Sequence, residues 1–501
     1  MKRNVFIQVR RKRNKTTKLA FLFLLFVVLA GISFFSLLGR KEKRKEEEEI
    51  KPEIHLEQCT CSREYNLPII MIDLKGQEIP LNTEYVQREI NGVEYNIASA
   101  QEKILVEISV YEPLEQGYTC TCGAVPPAIT SLAYLNIRGQ SSVSFPKKQY
   151  SIKFVKEDLS KNDVALLGMS AHSKWVLNGS YLDRSCLRNY MAYSLADEVM
   201  EYAPDTEFCE VFLRNGKGFE SDYIGIYLAV EKIEKDKNRV DIEEGNEEYE
   251  DVSFMIARDK IKDQDVVIDT DWSIFDEDYL FTDDGRQKLY AELIHVYPSG
   301  NDLTKRYQKR IVDYLNAFEY ALYSSDFADK KKGYEKYIDV DSFIYYAMIN
   351  EITKNIDGAT VSTYFYKDVT SKMKAGPVWD FDRSAGNTFV EEVDEVEGII
   401  MDSVPWFQRL FQDDKFSRKY QMNYSLKRET VFSDEAILKK LKDAKNTLGP
   451  AITRNEARWY ASSLENYPEE YYNLKMFYLN RLKWLDENNK LMQRDLESKM
   501  E

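Results

Sequence analysis

The stretch Lys374 to Asn387, KAGPVWDFDRSAGN, sets Asp380 and Asp382 two residues apart behind a short apolar run and ahead of a glycine. Carboxylates so spaced can serve a hard divalent cation, which takes one or two of them with water and phosphate oxygens, or they can close a turn. Taken alone, Asp-x-Asp is more often structural or solvent-facing than functional. The neighbours favour a site, because Gly376-Pro377 forces one turn and Gly386-Asn387 suits a second. Upstream, Asn350 to Asp357, NEITKNID, closes an expected helix, and a strand-like Ser362 to Lys367 leads on to Trp379. One pass of chain thus delivers Asn355, Asp357, Asp380 and Asp382 near element ends, where polar groups converge. Phosphoryl transfer asks for that inventory: a metal-binding carboxylate and a base-like aspartate that orients the acceptor hydroxyl.

The other half of a phosphate site is cationic and rich in backbone N–H groups. Ile137-Arg-Gly-Gln-Ser-Ser142 follows a strand-like run, and its turn offers amides and hydroxyls to phosphate oxygens. Lys147, Lys148 and Lys153 come next; alternation in Tyr150-Ser-Ile-Lys-Phe154 places Lys153 opposite Ile152, either seeking an anion or snorkelling from a strand. The three histidines, His55, His172 and His295, lie in polar contexts that read as surface, so histidine-led triads and zinc hydrolase sites have little support.

These residues need elements to hold them. Runs rich in β-branched and aromatic residues predict strands at 67–74, 103–110, 134–138, 150–154 and 222–231. Helical spacing of Leu187, Tyr190, Met191 and Leu195 predicts a helix within 183–201 with Asp183 as N-cap, and Ile344, Ala347, Met348 and Ile352 predict another over 341–354. Strands before helices argue an α+β protein, with 234–251 as a mobile loop.

Leu19 to Leu38 is a run of 20 uncharged residues, which at about 1.5 Å per residue spans a bilayer core. It reads as an uncleaved anchor in preference to a signal peptide, since no A-x-A-like site follows. Eight basic residues before it and five close behind place the N-terminus in the cytoplasm and the bulk of the chain outside, as a single-pass protein of the cell membrane. The expected organisation is a basic tail (1–18), the anchor (19–38), a charged linker (39–66), a folded domain (67–490) and a polar tail (491–501). Residues 1–45 carry net +12, so of the formal −15 the remainder holds −27, a surface suited to basic partners and not to nucleic acid. Cys59, Cys61, Cys120 and Cys122 form two Cys-Thr-Cys triplets, which suit cross-pairing by disulfides better than zinc, whose usual spacing is longer.

The ordered set of motifs resembles the CotH kinase family, named for a spore coat protein. The matching pieces are Ile137 to Ser142 with Phe145 to Phe154, Trp175-Val-Leu-Asn with Tyr181 to Asn189, Gly225 to Glu231, Asn350-Glu351 through Asp357, and Gly376 to Asp382 with Gly386-Asn387. The resemblance spans about 67–490 and implies an atypical protein-kinase-like, two-lobed domain, sheet-rich first and helical later. It implies transfer of the ATP γ-phosphate, with Mg2+ or Mn2+, to Ser or Thr of protein substrates, basic and Ser-rich at the cell surface or spore coat. On it, Lys153 looks like the phosphate-binding strand lysine and Arg138, Ser141 and Ser142 like the phosphate-cradling turn. Asp357 looks like the residue that orients the acceptor, Asp380 like the main metal ligand, Asp382 and Asn355 like metal helpers, and Glu231 like a wall of the nucleotide pocket. Asp382 reads equally as a second ligand or as a cap on the turn to Gly386.

Two further readings stand beside it. A surface-binding or coat-assembly module that keeps the kinase-like fold accounts for an external domain, although Lys153, Asp357 and Asp380 are all present. A carboxylate glycosidase rests on acids and aromatics alone and leaves Lys153 and the Arg138 turn unexplained.

Overall fold

The computed structural model describes residues 60, 64–90, 93–140, 142–215, 222–246, 248, 251–271, 291–387, 396–463 and 466–488. In its first half, β1 (Ile69–Asp73), β4 (Ile104–Tyr111), β5 (Ile129–Arg138), β6 (Gln149–Val155), β7 (Lys174–Asn178), β9 (Tyr223–Glu231) and β8 (Thr206–Arg214) follow one another around a closed barrel. Alternate residues of each strand turn inward: Val106, Ile108 and Val110 from β4, Ala133, Leu135 and Ile137 from β5, Tyr150, Ile152 and Phe154 from β6. Each such side chain removed from water contributes about 1.5–3 kcal/mol. A separate hairpin, β2 (Tyr85–Ile90) and β3 (Val93–Ala98), is anchored by the Tyr95 hydroxyl, which donates to Glu292 at 2.8 Å.

The second half combines helices with a four-stranded sheet ordered β11 (Glu292–Tyr297), β10 (Phe254–Asp259), β12 (Thr363–Lys367), β13 (Lys374–Ala375). The α-helices are α1 (Arg188–Asp197), α2 (Lys305–Tyr323), α3 (Val340–Thr353), α4 (Phe407–Phe411), α5 (Asp414–Arg428), α6 (Asp434–Leu448), α7 (Ala451–Trp459) and α8 (Tyr467–Asn488). β9 is buried on both faces because Tyr227 and Ala229 point into the barrel, while Ile226, Leu228 and Val230 pack outward with Met191 and Leu195 of α1. Helix α3 starts at Asp339, whose side chain accepts from Ser342 N, and ends at Lys354 with φ +45°.

Several expectations need correction. The sheet-rich part of the expected two-lobed α+β kinase-like domain is not an open sheet. β8 returns parallel to β1, from Ile69 opposite Glu210 to Asp73 opposite Arg214, and so closes a seven-stranded barrel. Nor is the later part purely helical, since the sheet of β10 to β13 lies within it. The expected single-pass membrane placement has no support: Leu19 to Leu38 lies outside the described residues, and among the described residues no helix is long and apolar enough to cross a membrane. The segment read as a mobile loop buries Val240 and Ile242 against Ile233, Met255 and Tyr366. His172 and His295 are buried and not superficial, while His55 lies outside the described residues. Helix α1 begins later than expected, and Asp183 precedes it by five residues while still accepting from Arg188 N at 2.9 Å. Cys59 and Cys61 lie outside the described residues, but Thr60 between them donates its N–H to Cys122 Sγ at 3.4 Å, which brings the two triplets together.

Candidate active site

The C-terminal end of α3 builds the first part of the site. Past Lys354 the chain folds back, with Asn355 N donating to Asn350 O and Asn355 Nδ2 to Asn350 Oδ1, both at 3.0 Å. Asn355 Oδ1 in turn accepts the N–H of Asp357 at 3.3 Å. Both polar atoms of the buried Asn355 side chain are therefore engaged within the turn that presents the half-buried Asp357. Gly358 is required there, because a Cβ would meet Asn350 Oδ1 at 2.5 Å. The same turn holds the aspartate loop directly, through Ala385 N donating to Thr353 O at 2.6 Å.

That loop leaves β13 and brings Asp380 and Asp382 together as a half-buried pair whose carboxyl groups share a hydrogen bond. Burial pushes the Asp380 carboxyl up, Arg138 pulls against that push, and the charges of Asp357 and Asp259 add to it. Asp382 is pushed well above the usual carboxylate range by burial and then by Asp380, Asp183 and Asp357. The carbonyl of Asp382, rather than its carboxyl, takes the Asn387 side-chain amide at 2.5 Å. Five carboxylates and one guanidinium thus act on the Asp380 and Asp382 pair or belong to it, from the ends of β5, β10 and α3, the segment before α1 and the loop after β13.

The barrel supplies the opposite wall. In the β5–β6 register Arg138 faces Gln149 and Tyr134 faces Lys153, and the pleat puts Tyr134, Asn136, Arg138 and Lys153 on the outer face. Arg138 donates to Gln149 Oε1 at 3.0 Å and lies over the Trp379 ring. Its turn is tight: Gly139 has φ +99°, and a Cβ there would meet Ser142 Oγ at 1.8 Å. Gln140 carries the turn to the second sheet, donating to Lys260 O at 3.0 Å and Ile261 O at 3.3 Å, beside Asp259. Ser142 is half-buried in a short 3-10 turn, and Ser141 lies outside the described residues. Lys153 is exposed, across β6 and β7 from Lys174 and about four residues or ~13 Å along the strands from Arg138, whose own side chain turns to Gln149 and Trp379.

Glu231, at the end of β9, is 2% exposed. Its Oε2 accepts from the Tyr202 hydroxyl at 3.0 Å and Asp205 N at 3.2 Å, while Oε1 has no hydrogen-bond partner among the described residues. Burial pushes it up to about 7. Tyr202, Tyr364 and Trp379 each pack against the same small core of Ile233, Val240, Ile242, Met255 and Tyr366. Lys147 and Lys148 stand apart from the site. Lys147 is fully buried and donates to Ile226 O and Asn455 Oδ1, and Lys148 closes its own turn on Val143 O.

Sequence reasoning gave no part in the site to Asp183, which it read only as a helix N-cap, or to Asn189, Tyr193 or Asp259. The first three fall in or just beyond a motif stretch that carried no stated chemistry, and Asp259 closes a strand with no distinguishing pattern.

A family model described as CotH kinase protein matches residues 135–485, from within β5 to within α8 and well over half of the chain. No curated protein matches the chain.

Proposed function

The chain belongs to the CotH kinase protein family and is kinase-like in function, and from that premise we propose that it transfers the ATP γ-phosphate to serine or threonine of a protein substrate. The observation that carries this reading is the meeting of Arg138, from the barrel, with the Trp379-Asp380 loop, from the second sheet. A cation and a carboxylate pair placed at one junction form the two halves of a phosphate site.

Asp380 and Asp382 fit Mg2+ or Mn2+. Two hydrogen-bonded carboxyls, both pushed upward by burial, with Asp382 raised further by Asp380 and Asp380 by Asp357, form a donor set that a divalent cation relieves. Among the described residues no three His, Cys, Asp or Glu side chains gather as a full cage, and Mg2+ ordinarily completes its shell with phosphate and water. When bound, the ion neutralises charge on the transferring phosphoryl group. Arg138 and Lys153 hold phosphate oxygens from the barrel side, and Ser142 adds a hydroxyl at the turn. Asp357, held by Asn355, accepts the hydrogen bond of the acceptor hydroxyl and sets its direction. Glu231 lines the nucleotide pocket. The surplus of acidic charge outside residues 1–45 favours a basic, Ser-rich substrate.

The test is incorporation of phosphate from radiolabelled ATP into a basic, Ser-rich protein by the full chain with Mg2+ or Mn2+. Wild type labels serine or threonine, and Asp380→Ala lowers the rate by about 100-fold or more. Equal labelling by the two overturns the proposal.

A further inference from the structure

The Asp380 loop is shaped from one side by a single helix. Asp380 has φ +66°, a left-handed backbone that a residue with a side chain keeps only where its surroundings impose it. Two side chains of α1, four residues apart and so on one face, supply the constraint. The Tyr193 hydroxyl accepts the N–H of Asp380 at 3.2 Å, and Asn189 Oδ1 accepts the N–H of Phe381 at 2.7 Å. The Tyr193 ring also packs on both neighbours of Asp380, with centroids 6.1 Å from Trp379 and 6.5 Å from Phe381. Asn189 and Tyr193 are each 2% exposed. The far side of the loop is clamped by the preceding residue, since Arg188 donates to Ser384 O at 2.9 Å and Ala385 O at 3.2 Å while pairing with Asp183 and Glu470.

We propose that Asn189 and Tyr193 are positioning residues for Asp380, holding two successive amides so that its carboxyl stands beside Asp382 and Asp357 before any ligand arrives. This deepens the kinase reading and rests on its assignment of Asp380 to the metal. Neither residue touches the reacting groups; both act through the backbone of the loop.

The test uses the full chain and two readouts besides activity. Amide hydrogen exchange is followed without metal over peptides spanning 378–385, and Mn2+ binding is followed by electron paramagnetic resonance with a non-hydrolysable ATP analogue. Tyr193→Phe, which keeps the ring, and Asn189→Ala should each speed exchange of the loop and weaken Mn2+ binding about tenfold. Ser194→Ala, on the same helix but bonded to Met191 O, should change neither. If Asn189→Ala fails to fold, Tyr193→Phe decides. Mn2+ affinity within about twofold of wild type in the folded variants overturns the assignment alone. Absence of Mn2+ binding by wild type overturns the kinase reading, and this assignment with it.

Discussion

The guanidinium of Arg138 lies 5.4 Å from the centre of the Trp379 ring, the residue directly before Asp380. This contact joins the last residue of β5 to the loop after β13, so the barrel and the second sheet meet where charge is concentrated. Arg138 also opposes the upward push on the Asp380 carboxyl, more strongly than the hydrogen bond from Asp382 does.

Arg138→Met keeps a stem over the ring and removes the charge. If Arg138 holds phosphate, the loss of charge-assisted hydrogen bonds, about 1.5–3 kcal/mol, should weaken Mg-ATP binding roughly 10–100-fold. Arg138→Lys should recover only part of it, because an ammonium lacks the planar fork that matches phosphate oxygens. Calorimetric titration with Mg-ATP measures both, and unchanged affinity in Arg138→Met would remove Arg138 from the phosphate site.

Lys153 and Lys147 make opposite predictions from similar residues. Lys153 is exposed on the outer face of β6, so Lys153→Ala should leave the unfolding midpoint unchanged and lower phosphate transfer. Lys147 is buried and donates to Ile226 O at 2.6 Å and to Asn455 Oδ1 at 3.1 Å, which keeps the Ile226 N–H, so Lys147→Met removes two buried hydrogen bonds and should cost about 1–3 kcal/mol. Burial holds Lys147 down to about 8 from 10.5. The unfolded chain therefore binds more protons between those values, and wild-type stability should rise with pH across that window, a slope that Lys147→Met flattens. Urea unfolding at several pH values separates the two lysines.

The inward faces of β4, β5 and β6 are legible in the sequence because each strand packs one side on a core and period two follows. Barrel closure is not, since the pairing of β1 with β8 joins segments far apart in the chain and no local pattern encodes it. Asp380 and Arg138 stand in recognisable turns, whereas the roles of Asn189 and Tyr193 depend on backbone contacts 192 and 187 residues away. Alternation gives the side of β6 on which Lys153 lies, but its exposure depends on what covers the barrel. The burial of His172 and His295 likewise follows from tertiary packing around otherwise polar stretches.

Glu231 should make stability depend on pH. Its carboxyl rises from 4.5 to about 7 through burial, with Oε1 lacking a partner among the described residues. The folded chain then holds a proton that the unfolded chain has released between those values. Stability therefore falls as pH rises through the window and the loss, on the order of 3 kcal/mol, is complete above about 7. Glu231→Gln keeps an acceptor for Tyr202 and Asp205 without a titrating charge, so its unfolding midpoint should vary less with pH. Parallel curves for wild type and variant from acid to neutral pH would show that Glu231 does not titrate in this range.

The turn that presents Asp357 depends on a buried ion pair. Arg481 of α8 donates to Glu351 Oε2 and to Glu351 O, each at 2.8 Å, and both side chains are fully buried. Both groups are engaged further: Arg481 Nη1 reaches Val396 O and Gly398 O, and Glu351 Oε1 accepts from Ile400 N and Met401 N. Removing one partner strands a charge, so Arg481→Met should cost about 3–5 kcal/mol in urea unfolding. Adding Glu351→Leu should recover part of that loss, because the stranded charge goes with it. Glu351 directly precedes the Asn355 and Asp357 turn, so the single variant should also lower transfer more than its folded fraction accounts for. A loss below about 1 kcal/mol in Arg481→Met would show that the pair does not hold the end of α3.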